Sequence, residues 1–409
     1  MWTFPFRQLR TAALLLVLAA LAGCSGDSST TPADPPRITI TGVENGATYD
    51  AAVTVGISVD RGSYEAQLNG QPFSSGSTIG LPGSYSLSVT ARNGLETASR
   101  QVSFTIAAPS GGTLIVRLFD LGPNEFGGGG DAILVTDSSA AGMVHALIDA
   151  GPAGIDGGDP GLVARRLAAL GVDSLSFMLL THAHGDHYLG MPAVLNAMPV
   201  DRFYYNGQVR NLASYASLIS LAQNRAASVV IIQDTVPVAF GRSTVQTRFT
   251  LIPPLPTYLG TSTNDGAALN EGSLGASLRR GPFSMFFTGD GEYAANFRWR
   301  TQFPTYTRNV RVLKVGHHGA NNAVFDAGTT GPSTWLEHTA PAVSVISANG
   351  VTHPRVRALT RLLQRTNMQT YCTNVHGEIT IRIWSDGVHH VTVERAAGSD
   401  CVPGSTADT

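Results

Sequence analysis

Lysine is almost missing from this chain. A single one, Lys314, stands among 409 residues, and the other basic residues are arginine. Charge of either sign is sparse, at 14% of residues. With 27 basic against 29 acidic side chains the net charge is only −2. A chain so evenly balanced has no overall pull toward nucleic acid or acidic lipid, so any basic groove must be local. The low charge, beside 43% hydrophobic residues, also excludes a disordered polymer. The apolar run near the N-terminus, Thr11 to Leu21, is too short for an ordinary membrane-spanning helix, which needs about 20 apolar residues. Cysteine occurs three times. The length is enough for more than one core, since single cores rarely exceed roughly 250 to 300 residues.

The N-terminus reads as a targeting segment. Arg7 and Arg10 precede the apolar run, and small residues follow it. Leu21-Ala-Gly-Cys24 resembles the lipobox of bacterial lipoproteins, which implies a signal peptide over 1–24 and an acylated Cys24. Residues 25–36, rich in Ser, Thr, Asp and Pro, read as a flexible tether. Ser25 beside the cysteine resembles an outer-membrane sorting signal, so the expected location is a membrane anchor on the outer membrane or cell surface. Export permits a disulfide. Cys372 and Cys401, the two cysteines left after Cys24, are the candidate pair.

Residues 37–107 read as a small all-β module. Ile38–Thr41, Val53–Val59 and Tyr85–Ala91 alternate apolar with polar residues, the period of half-buried strands. Asn69-Gly70 and Asn93-Gly94 are turn signals. The Cys–Trp–Cys pattern of antibody domains is missing. The stretch from Gly83 to Ile106 resembles the closing hairpin of bacterial immunoglobulin-like domains, which implies a spacer or a module contacting cell-surface components. Residues 108–112 form a linker.

Residues 113–396 read as an α/β domain, followed by a tail over 397–409. Strands are expected over 114–119, 132–135, 145–148, 175–180, 283–287, 310–313 and 343–346. A helix is expected to open at Asp159-Pro160, with Leu162, Val163, Leu167 and Leu170 inward. The strand at 175–180 runs directly into His182-Ala-His184-Gly-Asp186-His187. Four side chains able to bind metal lie within six residues at a strand end, and imidazole with carboxylate is the donor set of zinc and similar divalent ions.

This segment resembles the signature of the metallo-β-lactamase superfamily, and other segments follow in that family's order. They are Asp149 in Leu147–Gly151, Asp290 in Thr288-Gly-Asp, and His317-His318 in Gly316–Gly319. The resemblance implies a four-layer αβ/βα sandwich and a hydrolase with two divalent ions, zinc first and manganese second. One ion is expected on His182 and His184, with Asn270 as a third ligand. The other is expected on Asp186, His187 and His317, and Asp290 bridges both. A hydroxide between the ions would attack the substrate. Asp149 is expected to orient a ligand histidine. Lys314 and His318 join Asp186 and Asp290 as candidate catalytic residues, and Ser273 and His353 as second-layer or substrate contacts. Asp120 and Asp131 are expected to shape loops.

Within the superfamily the chain is most similar to the hydrolase domain of the competence protein ComEC. Phe119–Gly122 with Gly130-Asp-Ala132, Leu269-Asn270 with Ser273, Leu313-Lys314 with His317-His-Gly319, and Ile346–Asn349 with His353-Pro354 carry that likeness. It is interrupted by the insertion Pro123 to Gly129. It also departs at Leu189, where the family has a glycine, at Ala320, where it has serine, and at Asn270, where many members have a third histidine. The likeness implies phosphodiester hydrolysis, with single-stranded DNA as the leading substrate. The row Arg357, Arg361 and Arg365 on a helix over 355–365, whose inner face would be Val356, Leu359 and Leu363, is the candidate phosphate contact. Hydrolysis of a small ester, lactone or lactam stays open, as does a surface binding protein whose hydrolase fold is inactive.

Overall fold

Strands that bury every second residue open the described chain: Ile38 and Ile40, then Val53, Val55 and Ile57, are buried while their neighbours face solvent. The computed structural model describes residues 34–122, 129–151, 159, 161–259, 266–327 and 330–406. The signal segment with Cys24, most of the tether, Pro160 and all but the last residue of the 123–129 insertion lie outside those residues.

The chain divides into two units. One is built from residues up to Ala47, Val53–Thr78 and Tyr85–Phe104; the other takes Thr48–Ala52, Ile79–Ser84 and Thr105 onward. The N-terminal strands form a three-stranded sheet (Ile38–Thr41, Val53–Val59, Ser77–Ile79) and a five-stranded sheet. The latter holds the long hairpin Gly83–Asn93 and Glu96–Ile106. Asn69 and Gly70, both at positive φ, turn Ser63–Leu68 into its partner Gln71–Pro72.

The larger unit is made of two sheets. The first has eight strands in the order Ala226–Ile231, Val200–Tyr205, Phe177–Leu179, Gly142–Ile148, Ile133–Ser139, Thr113–Leu118, Ile379–Trp384, His389–Val393. The second has seven: Val236–Phe240, Thr247–Ile252, Gly275–Arg280, Phe283–Phe287, Val312–Lys314, Val343–Ile346, Gln369–Cys372. Three cores separate four layers. The central one joins both sheets through residues such as Val116, Ile148, Phe177, Phe249 and Phe287, with the Phe177 and Phe249 rings 5.1 Å apart edge to face. A second packs the helices Leu162–Ala169, Met191–Ala197 and Ala213–Arg225 on the first sheet. A third packs Tyr293–Gln302, Thr334–Thr339 and Val356–Leu363 on the second. Burying each such aromatic or aliphatic side chain contributes about 1.5–3 kcal/mol.

A buried ion pair crosses the central layer. Arg280 Nη1 lies 2.9 Å from Asp137 Oδ2, while Asp137 Oδ1 accepts from the Ser243 hydroxyl and from the backbone N–H groups of Arg242 and Ser243. Cys372 and Cys401, 29 residues apart, are joined by a disulfide with Cα atoms at 5.8 Å.

Two expected helix faces shift. Leu170 follows the end of its helix and is exposed, and Ala164 is buried beside Val163 and Leu167 instead. On Val356–Leu363 the inner face is Ala358, Leu359 and Leu362, while Leu363 faces solvent. The middle arginine of that helix, Arg361, lies over the Phe325 ring and donates to Gly331 O, so its guanidinium is engaged with the chain itself.

Within each sheet, neighbouring parallel strands end on one side, where their loops gather. Gly142–Ile148 leads to Asp149 and Phe177–Leu179 to Thr181-His182. In the other sheet Phe283–Phe287 leads to Asp290, Val312–Lys314 to His317-His318, and Val343–Ile346 to Ser347. Loops at strand ends are where α/β folds place chemistry.

Candidate metal centre

Asp149 organises the centre from beneath. It sits at φ 55°, a left-handed conformation that aspartate tolerates better than most residues. Its Oδ1 accepts the Thr181 N–H at 2.8 Å and its Oδ2 accepts the Thr181 hydroxyl at 2.7 Å. His187 Nδ1 lies 2.8 Å from the same Oδ2. The Thr181 hydroxyl, having donated to Asp149, is left to accept from His182 Nδ1 at 3.1 Å. His318 Nδ1 lies 2.9 Å from Ser347 O, which can only accept. Each partner places a proton on Nδ1, so all three rings turn a bare Nε2 inward. Outer partners of this kind fix the tautomer of metal-binding histidines.

The inward atoms converge in two groups that share Asp290. Asp186, His187, Asp290 and His318 form one, and His182, His184 and Asp290 the other; in each, one ligand atom per residue lies within 4.8 Å of the rest. Asp290 Oδ2 is 3.2 Å from both His187 Nε2 and His318 Nε2, and 3.9 Å from His182 Nε2. Asp186 Oδ2 is 3.2 Å from His318 Nε2. His182 Nε2 and His184 Nδ1 stand 3.0 Å apart. Yet His187 Nε2, His318 Nε2 and Asp290 Oδ1 are buried with no hydrogen-bond partner. Orphaned buried polar atoms cost about 1–3 kcal/mol each. Three of them within one cluster of imidazole and carboxylate groups fit divalent ions.

Without an ion the charges settle by protonation. Burial works against a charged His318, but Asp290 and Asp186 outweigh it and push its pKa up to about 10. Burial likewise opposes the charge on His187, and Asp290, Asp149 and Asp186 overcome it, raising it well above the ordinary value. Burial alone would raise Asp186 and Asp290, but the two imidazoliums hold both below the usual carboxylate range. His182 is pushed well down by burial and by His187, and His184 is lowered by burial.

The structure parts the His317-His318 pair and puts His318, not the expected His317, among the candidate ligands. Both residues have positive φ, 46° and 52°, and the turn sends the two rings apart. His318, fully buried, enters the ligand group. His317 swings out beside Glu292, its Nδ1 3.0 Å from Oε1, and lines the cavity. Lys314, a candidate catalytic residue on sequence, does not line the cavity. Its Nζ is wholly buried, 2.7 Å from Asp131 Oδ2, and donates to Val315 O. Asp131 in turn lies behind both ligand rings, 4.0 Å from His187 Nδ1 and 3.9 Å from His318 Nδ1. So Asp131 is a buried neighbour of the centre, beyond the loop-shaping part expected of it, while Asp120 holds the Gly122 N–H and pairs with Arg395.

Asn270 is tied to Glu292, its Nδ2 donating to Oε1 at 2.7 Å, and its Oδ1 is buried without a partner. No contact among the described residues sets it against His182 or His184. Ser273 Oγ accepts the Asp290 N–H at 3.2 Å and so positions that loop. Asn349 Oδ1 accepts the N–H groups of Val351, Thr352 and His353, a turn that presents His353 to the cavity.

That cavity, about 430 Å³, opens over the centre. His184, Asp186, Asp290, His317, His353 and Arg210 line it, together with Tyr188, Ser214, Leu189 and Leu212. Sequence reasoning missed the loop Asn206–Arg210. Gln208 Oε1 accepts the Ala183 N–H, Gln208 Nε2 donates to Leu269 O, and Arg210 Nη1 donates to Ala183 O. The loop therefore grips the middle residue of the metal signature from both sides. Only the polar residues after the strand at Val200–Tyr205 hinted at it.

Residues 127–264 match the Metallo-beta-lactamase superfamily. The match ends before Asp290 and His318, which the fold brings to the same place. No match was found among curated proteins. Among solved structures the chain is similar to a mutant of the CmlA beta-hydroxylase, at 14% identity over 66% of this chain and 54% of that one, TM-score 0.39. It thus spans about half the length of that protein. It is also similar to a diphosphatase from the PhnP family (11%, 63% and 94%, TM-score 0.33) and to the short form of human tRNase Z (12%, 56% and 90%, TM-score 0.32).

Proposed function

We propose that this chain, an enzyme with a metallo-beta-lactamase superfamily domain and thus of a superfamily made mostly of metal-dependent hydrolases, is a two-metal phosphodiesterase. The observation that carries the reading is Asp290, a buried carboxylate common to both groups of ligand atoms. Divalent ions held there, zinc first and manganese as the alternative, would supply Lewis acidity and a water activated near neutral pH. One would rest on His182, His184 and Asp290, the other on Asp186, His187, His318 and Asp290.

The chain's own residues do the rest. Asp149, Thr181 and Ser347 hold the ligand rings in one tautomer, so no reorganisation accompanies reaction. His317, braced by Glu292, and His353 face the cavity, where a leaving oxygen would take its proton. The ComEC likeness supports a phosphodiester, with single-stranded DNA as the leading polymer. The proposed setting is outside the cell, anchored through an acylated Cys24, with the β module, read as immunoglobulin-like, as spacer or surface contact.

The test is turnover of single-stranded DNA, a chromogenic phosphodiester and a chromogenic lactam, each with and without chelator. Chelator-sensitive cleavage of the first two is the expected result. Cleavage of the lactam alone would move the function to small-molecule hydrolysis, and no turnover by a metal-loaded protein would leave a binding module.

A further inference from the structure

Arg210 stands out among the residues around the cavity because little in the chain uses its charge. It is half-buried at the cavity wall, on the loop that follows Val200–Tyr205. One guanidinium nitrogen is committed: Nη1 donates to Ala183 O at 2.6 Å. Its Nε is buried and has no hydrogen-bond partner. Among the described residues no carboxylate pairs with it. A guanidinium lining the same cavity as His184, His317 and His353 sets a fixed cation among groups that could charge or bind cations, so a structural role alone leaves its cost unexplained. Gripping Ala183 O needs one donor, and a neutral amide could supply it.

Guanidinium presents its donors in a planar fork that matches the oxygens of phosphate or carboxylate. The bond to Ala183 O fixes one branch of the fork and so fixes where the rest points, which lowers the entropy lost when an anion binds. Tyr188 and Ser214, whose hydroxyl oxygens are 2.8 Å apart, share the wall and could donate to the same anion.

We infer that Arg210 is the anion-recognising residue of this cavity and selects substrates that carry a negative charge at the scissile centre, a phosphodiester over a neutral ester or lactone. The inference rests on the phosphodiesterase reading. It names the residue through which this site would prefer a charged phosphoryl group. Arg210 is not among the metal-binding donors, and a replacement that keeps a donor for Ala183 O should leave the metal centre loaded.

The experiment compares the full-length wild type with Arg210→Gln and Arg210→Lys, all metal-loaded. Metal content and thermal midpoint are measured first. Turnover is then followed on bis(4-nitrophenyl) phosphate, a monoanion, and on 4-nitrophenyl acetate, a neutral ester with the same leaving group. Binding of inorganic phosphate is measured by calorimetry. Arg210→Gln is expected to keep its metals, to raise KM for the phosphodiester at least tenfold, and to leave the ester within about threefold. Phosphate affinity should fall at least tenfold, with Arg210→Lys between the two. Equal losses on both substrates, or unchanged phosphate affinity, overturn the inference and leave Arg210 as a clamp on Ala183. Should Arg210→Gln lose its metals, Arg210→Lys, which keeps a donor for Ala183 O, decides by the same phosphate measurement. If the wild type cleaves the ester and not the phosphodiester, the phosphodiesterase reading fails, and phosphate binding still reports on Arg210 by itself.

Discussion

At the scale of single residues, neighbours in sequence do different work. His318 faces the ligand group while His317 faces Glu292 and the cavity. His318→Ala is therefore expected to lose about one metal equivalent, and His317→Ala to keep both; elemental analysis of the two purified variants decides. Asp290→Asn keeps the shape of the side chain but not the charge, and an amide has one good acceptor oxygen where a bridge needs two. It should lower kcat/KM by far more than tenfold with circular dichroism unchanged; a folded variant within about tenfold, under about 1.4 kcal/mol of transition-state loss, would sink the shared-carboxylate mechanism. The protonation of the metal-free centre has a sign. His318 carries a folded pKa raised from 6.5 to about 10, so its contribution to stability is full below about pH 6.5 and is lost as pH climbs toward 10. Asp186 and Asp290, lowered from 3.8, contribute above that value and lose it as pH falls. Metal-stripped protein should melt progressively lower between pH 7 and 10. Loaded protein should change little, and metal uptake should release protons, measurable by titration in buffers of different ionisation enthalpy.

At the scale of elements, the signature loop is held by what it packs against. Gly190 is the glycine that remains beside Leu189, and a Cβ there would stand 2.2 Å from Ala150 O. Leu189, one residue earlier, lines the cavity, which is why a side chain is accommodated at that position. Gly190→Ala should cost about 1–3 kcal/mol by overpacking and disturb Asp149 one residue away from the clash, read as a lower thermal midpoint with weakened metal uptake. The pair Arg280–Asp137 joins the two sheets through the core. Asp137→Ala strands a buried guanidinium and is expected to cost about 3–5 kcal/mol, roughly 10 °C in midpoint for a domain of this size. These devices mark the boundary of what was legible in the sequence. The ligand segments were legible because each packs its donors into a few residues at a strand end. Strands such as Val53–Val59, Phe283–Phe287 and Val343–Ile346 were legible because their patterns are local. The partition of His317 from His318 turns on two backbone angles that no pattern encodes. The ion partner of Lys314 could not be read locally, because Asp131 lies far back in the chain. Gln208 and Arg210 belong to no motif, and their importance exists only once Val200–Tyr205 lies beside Phe177–Leu179.

At the scale of the whole molecule, the Cys372–Cys401 bond closes a segment of 29 residues. On the chain-entropy view it contributes about 3.6 kcal/mol. Reduction should lower the melting midpoint by several degrees without removing metal from the centre, since neither cysteine lies in the two ligand groups that share Asp290. Cys24→Ser is expected to move the protein from the membrane fraction to the soluble one with hydrolysis intact; retention on the membrane would place the anchor elsewhere. The sheet order carries a last consequence. Thr113–Leu118 pairs on one side with Ile133–Ser139, close in sequence, and on the other with Ile379–Trp384, more than 260 residues later. The strand made first in this sheet receives its second neighbour almost at the end of synthesis. Until then an open edge displays Leu114, Val116 and Leu118 beside unanswered amide groups, an invitation to pair with another nascent copy. A ribosome that stops short of Ile379, or a protease that trims behind it, leaves this vulnerability permanent. Shortened chains should therefore be found in aggregates, with holding chaperones, or not at all, while changes in the tail beyond Val393 should pass unnoticed by this sheet.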